Sequence, residues 1–395
     1  MKTSLDRILT THVGSLPRSQ EVLKLIHAKA TDKAYDRDAY ERGMSAVVSN
    51  AVRRQTDVGL DVINDGEQTK TSFVAYIVSR LGGFEPVDGS HKPGLPPTRD
   101  ARAFPAVYQD IAKLTAIRRK EAPLRLPRIW MRCTGPITYT GHDDLQADLR
   151  YLKAALGNVP AEEAFITAIS PSNLELNHRN EYYRTGEEYL TALADAMHVE
   201  YKAIVDAGFI LQVDDPRMAT HYDRTPGASI EECRKFIALR VEAVNYALRG
   251  IPEDKIRFHI CYSVNTAPRV HDMELRHFVD LMLKIRAQAY SIEAANPRHE
   301  HEWQVFEDAK LPDDKILIPG VVSHCVALVE HPELVAQRIA RFAGVVGRER
   351  VMASNDCGFG TSAALDEVHP DVAWAKLDAL CQGARLASAK LWRRA

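Results

Sequence analysis

Six polar groups stand directly after apolar runs: His12-Val13-Gly14-Ser15, Asp65-Gly66-Glu67, Asp214-Asp215, His259-Ile260-Cys261, Glu293 and Asp356-Cys357-Gly358. His259 and Cys261 are two apart in IRFHICY, a run that reads as a strand, so both side chains project to one face and reach a single ion. Imidazole nitrogen, thiolate sulfur and carboxylate oxygen together suit a borderline-soft cation such as zinc in tetrahedral geometry. Glu293 and Cys357 close two later apolar runs and would complete such a set on one rim. The spacing alone also fits a core histidine and two buried thiols. Glu67 and Asp214 add carboxylates suited to an ammonium group, to proton handling, or simply to capping strand ends. His299-Glu300-His301-Glu302 offers a rival pair of histidines, but at a helix start they diverge by about 200°. That segment reads as polar surface or as support behind a site.

Such groups converge where the strands of a parallel barrel end and its βα loops begin. The second half of the chain has the required rhythm. Residues 186–208 read as an amphipathic helix, followed by strand FILQV and the turn Asp214-Asp215-Pro216. A helix over 229–249 starts at Ser229, with Glu232 completing a capping box. Strand IRFHICY, a helix over 274–288, strands AYSIEAA and KILIPGVV, a helix over 332–344 and strand RVMASN follow. Alternation of this kind, without a dinucleotide glycine fingerprint or a Walker A pattern, favours a closed barrel over an open sheet. In the first half, RILTTHV and LDVIND read as strands around a helix over 37–58. Residues 84–128, rich in proline and basic residues, read as a loop insertion, after which RIWMRCTG at 128–135 is expected to resume the barrel. The expected organisation is one domain over 1–395, a (β/α)8 TIM barrel with insertions in its N-terminal half.

Charge and composition narrow the partners. Lys and Arg total 51 against 53 Asp and Glu, a formal charge of −2, which exerts no general pull on nucleic acid or an anionic membrane. Apolar runs fall far short of the ~20 residues that span a bilayer. MKTSLDRILTTHVGSLPR lacks the apolar core of a signal peptide, so a cytoplasmic location is expected. The six cysteines form no CxxC pair, and a chain of this length buries a sufficient core without disulfides.

Eight segments also carry a family resemblance: THVGSLPR at 11–18, DVINDGEQ at 61–68, CTGPIT at 133–138, LQVDDP at 211–216, HICY at 259–262, SIEAANPR at 291–298, IPGVV at 318–322 and NDCGFGT at 355–361. In this order, and over nearly the whole chain, they resemble the catalytic C-terminal barrel of cobalamin-independent methionine synthase. The resemblance implies that His259, Cys261, Glu293 and Cys357 are zinc ligands, and that Ser15, Glu67 and Asp214 hold the amino-acid end of homocysteine. EAANPRHEHEW and NDCGFGT look closer to the single-barrel branch that includes epoxyalkane:coenzyme M transferase. There are departures. The chain has room for one barrel where the synthase has two, and His142 stands near the position of a pterin-facing tryptophan. His324 or Cys325 occupies the region of the proton-donating histidine.

The activity so implied is alkylation of a thiol held as a zinc-bound thiolate, with Glu293 the ligand that yields to the incoming sulfur. Methyl transfer to a homocysteine-like thiol is the leading expectation, with an alkyl or methyl donor as second substrate. Asp214 and His324 are the candidate acids. The alternative is alkyl transfer to a sulfonated thiol resembling coenzyme M, which would need cations such as Arg18 and Arg298 in the site. A purely structural zinc site is disfavoured, because such sites are usually compact Cys-rich knuckles. Assembly into a homo-oligomer is left open.

Overall fold

Side chains along a strand alternate between its two faces, so a ring of parallel strands sorts every second residue inward. In the computed structural model, which describes residues 1–31, 34–87, 97–121, 124, 131–157, 159–264, 267–363 and 368–392, eight parallel strands form such a ring. They are β1 (Leu9–Thr10), β2 (Val62–Ile63), β3 (Glu163–Ile169), β4 (Ile210–Asp214), β5 (Ile256–Ile260), β6 (Ala289–Ile292), β7 (Ile316–Val322) and β8 (Met352–Asn355). From β2 to β8 each strand pairs with the next, β8 pairs back with β1, and a bridge between Thr11 and Val62 joins β1 to β2. This is a (β/α)8 barrel.

The sorting is visible on β4. Leu211 and Val213 join the large core between sheet and helices, whereas Ile210 belongs to a separate cluster inside the ring. That inner plug also holds Leu9, Val62, Phe165, Ala289 and Met352. Above it the interior turns polar. Arg257 is fully buried, its guanidinium 4.2 Å from the Phe165 ring centroid and donating to Thr11 Oγ1 and His12 O, both at 3.0 Å. Polar side chains therefore collect at the strands' carboxyl ends.

The helices that wrap the ring follow their local signals. Helix Ile230–Ala247 has the expected capping box: Ser229 Oγ accepts from Glu232 N at 3.2 Å and Glu232 Oε2 from Ser229 N at 2.7 Å. Helix Arg37–Val58 ends at Gly59, whose φ of 97° is the left-handed geometry that favours glycine there. Helices Gly186–Asp206 and Pro332–Val346 lie close to their expected positions.

Two expectations are corrected. Met131–Tyr139 does not resume the barrel: it pairs antiparallel with Leu81–Pro86 and parallel with Arg179–Asn180 in a separate three-stranded sheet. The third barrel strand is instead β3, EAFITAI, and the described part of 84–128 carries helices Arg99–Ala103 and Pro105–Glu121. The helix expected over 274–288 reduces to the turns Leu275–His277 and Val279–Met282. Its apolar residues are buried on several sides, and Phe278, at φ −145° and ψ 3°, breaks the helix between the two turns.

Two buried charge networks fix these additions to the barrel. At the first, Arg80 meets Asp148 at 2.5 Å and Glu200 at 3.5 Å, while Tyr76 and Tyr139 donate to Glu200 at 2.8 and 2.7 Å. At the second, His299 is 1% exposed, stacks on Tyr262 at 3.7 Å, and sits between Glu302 at 2.8 Å and Asp272 at 3.2 Å. Burial opposes a charge on this ring, but the hydrogen bonds to Asp272 and Glu302 outweigh it and raise its pKa to about 9.

Removing Arg80 strands two buried carboxylates, so Arg80→Met should destabilise the fold by about 3–5 kcal/mol. An unchanged urea midpoint would contradict this. The His299 contribution has the opposite sign to a carboxylate's. A folded pKa raised from 6.5 to about 9 adds stability that is complete below pH 6.5 and lost as pH climbs through about 9. Wild type should therefore lose up to about 3 kcal/mol more than His299→Gln across that window. Parallel pH–stability curves for the two proteins would refute the charged histidine.

Candidate active site

Register decides which side chains meet. Asp214 on β4 lies beside His259 on β5, and His259 beside Ser291 on β6. One step further along the inward faces come Cys261 and Glu293, with Cys357 entering from the turn after β8. His259 Nδ1 is 2.9 Å from Asp214 Oδ1, which also accepts from Gln212 Nε2 at 2.7 Å. Asp214 thus holds the ring with its other nitrogen forward, and His259 Nε2 is buried with no hydrogen-bond partner among the described residues. Cys261 and Cys357 are both buried, with their sulfurs 3.3 Å apart. Ligand atoms of His259, Cys261 and Cys357 all lie within 4.8 Å of one another.

The electrostatics suit a cation. Cys357 donates its proton to Cys261, and this hydrogen bond lowers the Cys261 pKa below the ordinary thiol value. The same bond and burial raise that of Cys357. Burial opposes charge on His259, but Asp214 and the Cys261 thiolate overcome it and raise its pKa. One imidazole nitrogen without a partner among the described residues and two hydrogen-bonded thiols form a donor set that a borderline-soft divalent ion satisfies. The residues fit zinc.

Glu293 is placed differently. Its carboxylate accepts from Tyr262 N at 2.6 Å, Arg269 Nη2 at 2.9 Å and Asn296 Nδ2 at 2.5 Å. It groups with His324 and Asp356, whose ligand atoms lie within 4.8 Å of its own. Burial and the Glu293 charge push Asp356 up to about 8, so Asp356 holds a proton at neutral pH. Its Oδ1 accepts from Ala294 N and Ala295 N, both at 2.8 Å. His324 is fully buried, with Nε2 against Cys325 Sγ at 2.9 Å and Nδ1 unpartnered. Burial pushes its pKa down to about 4, which leaves the ring neutral.

A cavity of about 330 Å³ opens onto His259, Cys261 and Cys357 and is also lined by Ser15, Glu67 and Asp214. Glu67 adopts a φ of 54°, a costly conformation for a residue with a side chain. Its Oε1 accepts from Thr167 Oγ1 at 2.6 Å, and its buried Oε2 has no donor among the described residues. A carboxylate oxygen in that position calls for a cationic ligand group. Ser15 packs against Gly358 so closely that a Cβ there would run into its Oγ. Likewise, a Cβ at Gly320 would overlap Asp356.

The two arginines singled out in the sequence lie elsewhere. Arg18 is buried and donates to Gly360 O at 2.5 Å and Glu67 O at 2.6 Å, so it braces the loops from behind. Arg298 is exposed and donates to Val270 O at 3.1 Å. His142 caps neither site nor cavity: it begins helix His142–Leu156 and is exposed. His299 and His301 diverge, one buried and one exposed. Residues not anticipated are Arg269, which clamps Glu293, and Arg217, Arg224 and Asn173, which line the cavity. Arg217 follows the Asp214-Asp215-Pro216 turn directly, the one signal that could have pointed to it.

Comparison with known proteins agrees with this geometry. Residues 8–138 and 167–376 match the family described as "Cobalamin-independent synthase, Catalytic domain". A protein named methionine synthase from Thermococcus kodakarensis is 23% identical over 88% of this chain and 86% of its own length. One of the same name from Saccharolobus islandicus is 24% identical over 99% of this chain and 98% of its own. The structure of a B12-independent methionine synthase from Shewanella sp. W3-18-1 in complex with selenomethionine superposes with a TM-score of 0.70 at 18% identity, covering 98% of this chain and 99% of that one. No helix among the described residues is long and apolar enough to cross a membrane. With the match extending over both halves of the barrel and through the His259–Cys357 cluster, the chain belongs to the family of cobalamin-independent synthase catalytic domains.

Proposed function

We propose that this chain is a zinc-dependent thiol alkyltransferase, and specifically an S-methyltransferase acting on an amino-acid thiol such as homocysteine. The observation that carries the reading is the convergence of His259 Nε2, Cys261 and Cys357 beside a cavity whose far wall holds the donorless Glu67 Oε2. The archaeal relatives named methionine synthase support it. His259, Cys261 and Cys357 would hold the ion, and Glu293, held in reserve by Arg269, would be the exchangeable fourth ligand. Bound there, zinc supplies Lewis acidity that keeps a coordinated thiol deprotonated and nucleophilic at neutral pH.

The chain's own residues do the rest. Asp214 fixes the His259 tautomer, so that the nitrogen facing the cluster is the unprotonated one. Glu67 accepts the substrate ammonium and Ser15 borders the same end of the cavity. The walls must then align the alkyl carbon with the sulfur at about 3–3.5 Å. As the S–C bond forms, the bond from carbon to the leaving atom breaks, and that atom takes up a proton. Asp214 is engaged by His259 and Gln212, so the proton would come from Asp356, which holds one at neutral pH, passed on by the neutral His324 ring beside it as that ring takes up the Asp356 proton. The sulfonated-thiol alternative loses its first support, because Arg18 and Arg298 lie outside the cavity lining.

Metal analysis of the purified chain should find about one zinc per chain, falling well below that in Cys261→Ser and Cys357→Ser. Stoichiometric zinc in both variants would place the metal elsewhere. Glu67→Gln should leave zinc content unchanged while weakening homocysteine binding by about 10–150-fold, the range for hydrogen bonds to charged groups. Coenzyme M, which has no ammonium group, should bind the variant no worse than wild type. Equal homocysteine affinity in the two proteins would remove Glu67 from the substrate site.

A further inference from the structure

The cavity that exposes the thiols has a second, basic wall. Arg217 and Arg224 lie seven residues apart on helix Pro216–Arg224, two turns and therefore one face, and both line the cavity. Arg217 is half-buried and Arg224 exposed, so the pair runs from the depth of the cavity toward its opening. Their charges are poorly balanced. Arg217 donates to the neutral Asn177 Oδ1 at 3.3 Å; Asp215 attracts Arg217 and Asp223 attracts Arg224, but neither arginine forms a direct ion pair with a carboxylate among the described residues. The nearby acids are occupied. Asp215 accepts from Arg217 N, Met218 N and Ser172 Oγ, and Asp223 accepts from Asp100 N. Burial, with Arg224 close by, pushes the Arg217 pKa down to about 9, which still leaves it charged at neutral pH. Beside them Asn173, 2% exposed, has a buried Nδ2 with no acceptor, although it too lines the cavity.

Two guanidinium groups, neither in an ion pair among the described residues, and an amide N–H without an acceptor there stand on one wall. We propose that Arg217, Arg224 and Asn173 form a subsite for an anionic group, carboxylate or phosphate, on the second substrate, the alkyl donor. The thiol's own acid group is a less suitable occupant, because the thiol is held deep by its sulfur and by Glu67, while the arginines extend about 10 Å along the helix toward solvent. A guanidinium fork matches carboxylate and phosphate geometry with paired hydrogen bonds. The subsite would select donors with an acidic tail over small neutral alkylating agents. Naming its occupant as the alkyl donor rests on the thiol-transfer reading; the existence of an anion subsite does not.

Inorganic phosphate, titrated into the purified full-length chain by calorimetry, is the probe. Wild type should bind it, and Arg217→Gln and Arg224→Gln should each weaken binding at least about tenfold, with Arg217→Lys retaining most of it. Arg224 is exposed, so its variant should keep the wild-type circular dichroism and thermal midpoint. Homocysteine should bind Arg224→Gln as it binds wild type, and phosphate should not compete with it. Unchanged phosphate affinity in both glutamine variants overturns the subsite. Mutual exclusion of phosphate with homocysteine or coenzyme M, together with loss of thiol binding in the variants, overturns the assignment to the second substrate. Phosphate binding that depends on the arginines in a chain that binds no homocysteine supports the subsite and overturns the thiol-transfer reading instead.

Discussion

A closed ring of eight strands leaves its interior side chains no access to bulk water except at the ends, and that constraint organises the whole molecule. Inside, a residue must be apolar or be paired. At one end the plug of Leu9, Val62, Phe165 and their neighbours takes the first option. Toward the other, the inward charges are paired: Arg257 donates to Thr11 and His12, Asp214 meets His259, and Glu293 meets Arg269. Among the buried atoms without a partner in the described residues, His259 Nε2 and Glu67 Oε2 belong to residues that line the cavity. Unpaired groups are costly in such surroundings, so they mark where another molecule belongs.

The same constraint separates two populations of acid and base at the rim. Around Cys261 and Cys357 soft donors crowd together, one thiol hydrogen-bonded to the other. Around Glu293, His324 and Asp356 it is three titratable groups packed together beside the Arg269 guanidinium. Asp356 is pushed toward its acid form and His324 toward its neutral one, so the second group stores a proton next to the first. Arg269 is the partner that holds Glu293 in this group, donating to its Oε1 at 2.9 Å.

How much of this could be read from sequence depended on whether the signal was local. The His259-x-Cys261 pair on a strand needs only the two-residue period, and the Ser229–Glu232 box only a helix start, and both are as expected. The barrel ring was legible from β4 to β8, where short apolar runs alternate with helices. It failed at β3, since EAFITAI and RIWMRCTG are equally strand-like and only pairing partners distinguish them. The antiparallel contact with Leu81–Pro86 draws Met131–Tyr139 out of the ring. The segment at 274–288 failed for a related reason: its apolar residues satisfy packing on several sides, which mimics helical spacing. Arg217 and Arg224 resembled a solvated helix face, and only the cavity beside them says otherwise. Arg18 was the converse case, an arginine inside a motif that turns out to brace backbone carbonyls.

Two glycines at the rim carry a different kind of information. At Gly320 and Gly358 the space a Cβ would need is already filled, by the Asp356 carboxyl and by the Ser15 hydroxyl. At Gly320 the Asp356 backbone itself blocks that space, with Cα 2.7 Å and N 2.9 Å from where a Cβ would stand, whereas at Gly358 the Ser15 hydroxyl would have to rotate out of the rim. Change at either point requires a compensating change at its partner, on a different strand or loop. The site can therefore drift only in coordinated steps, and the lineage that carries it is held to its present chemistry by the absence of two methyl groups.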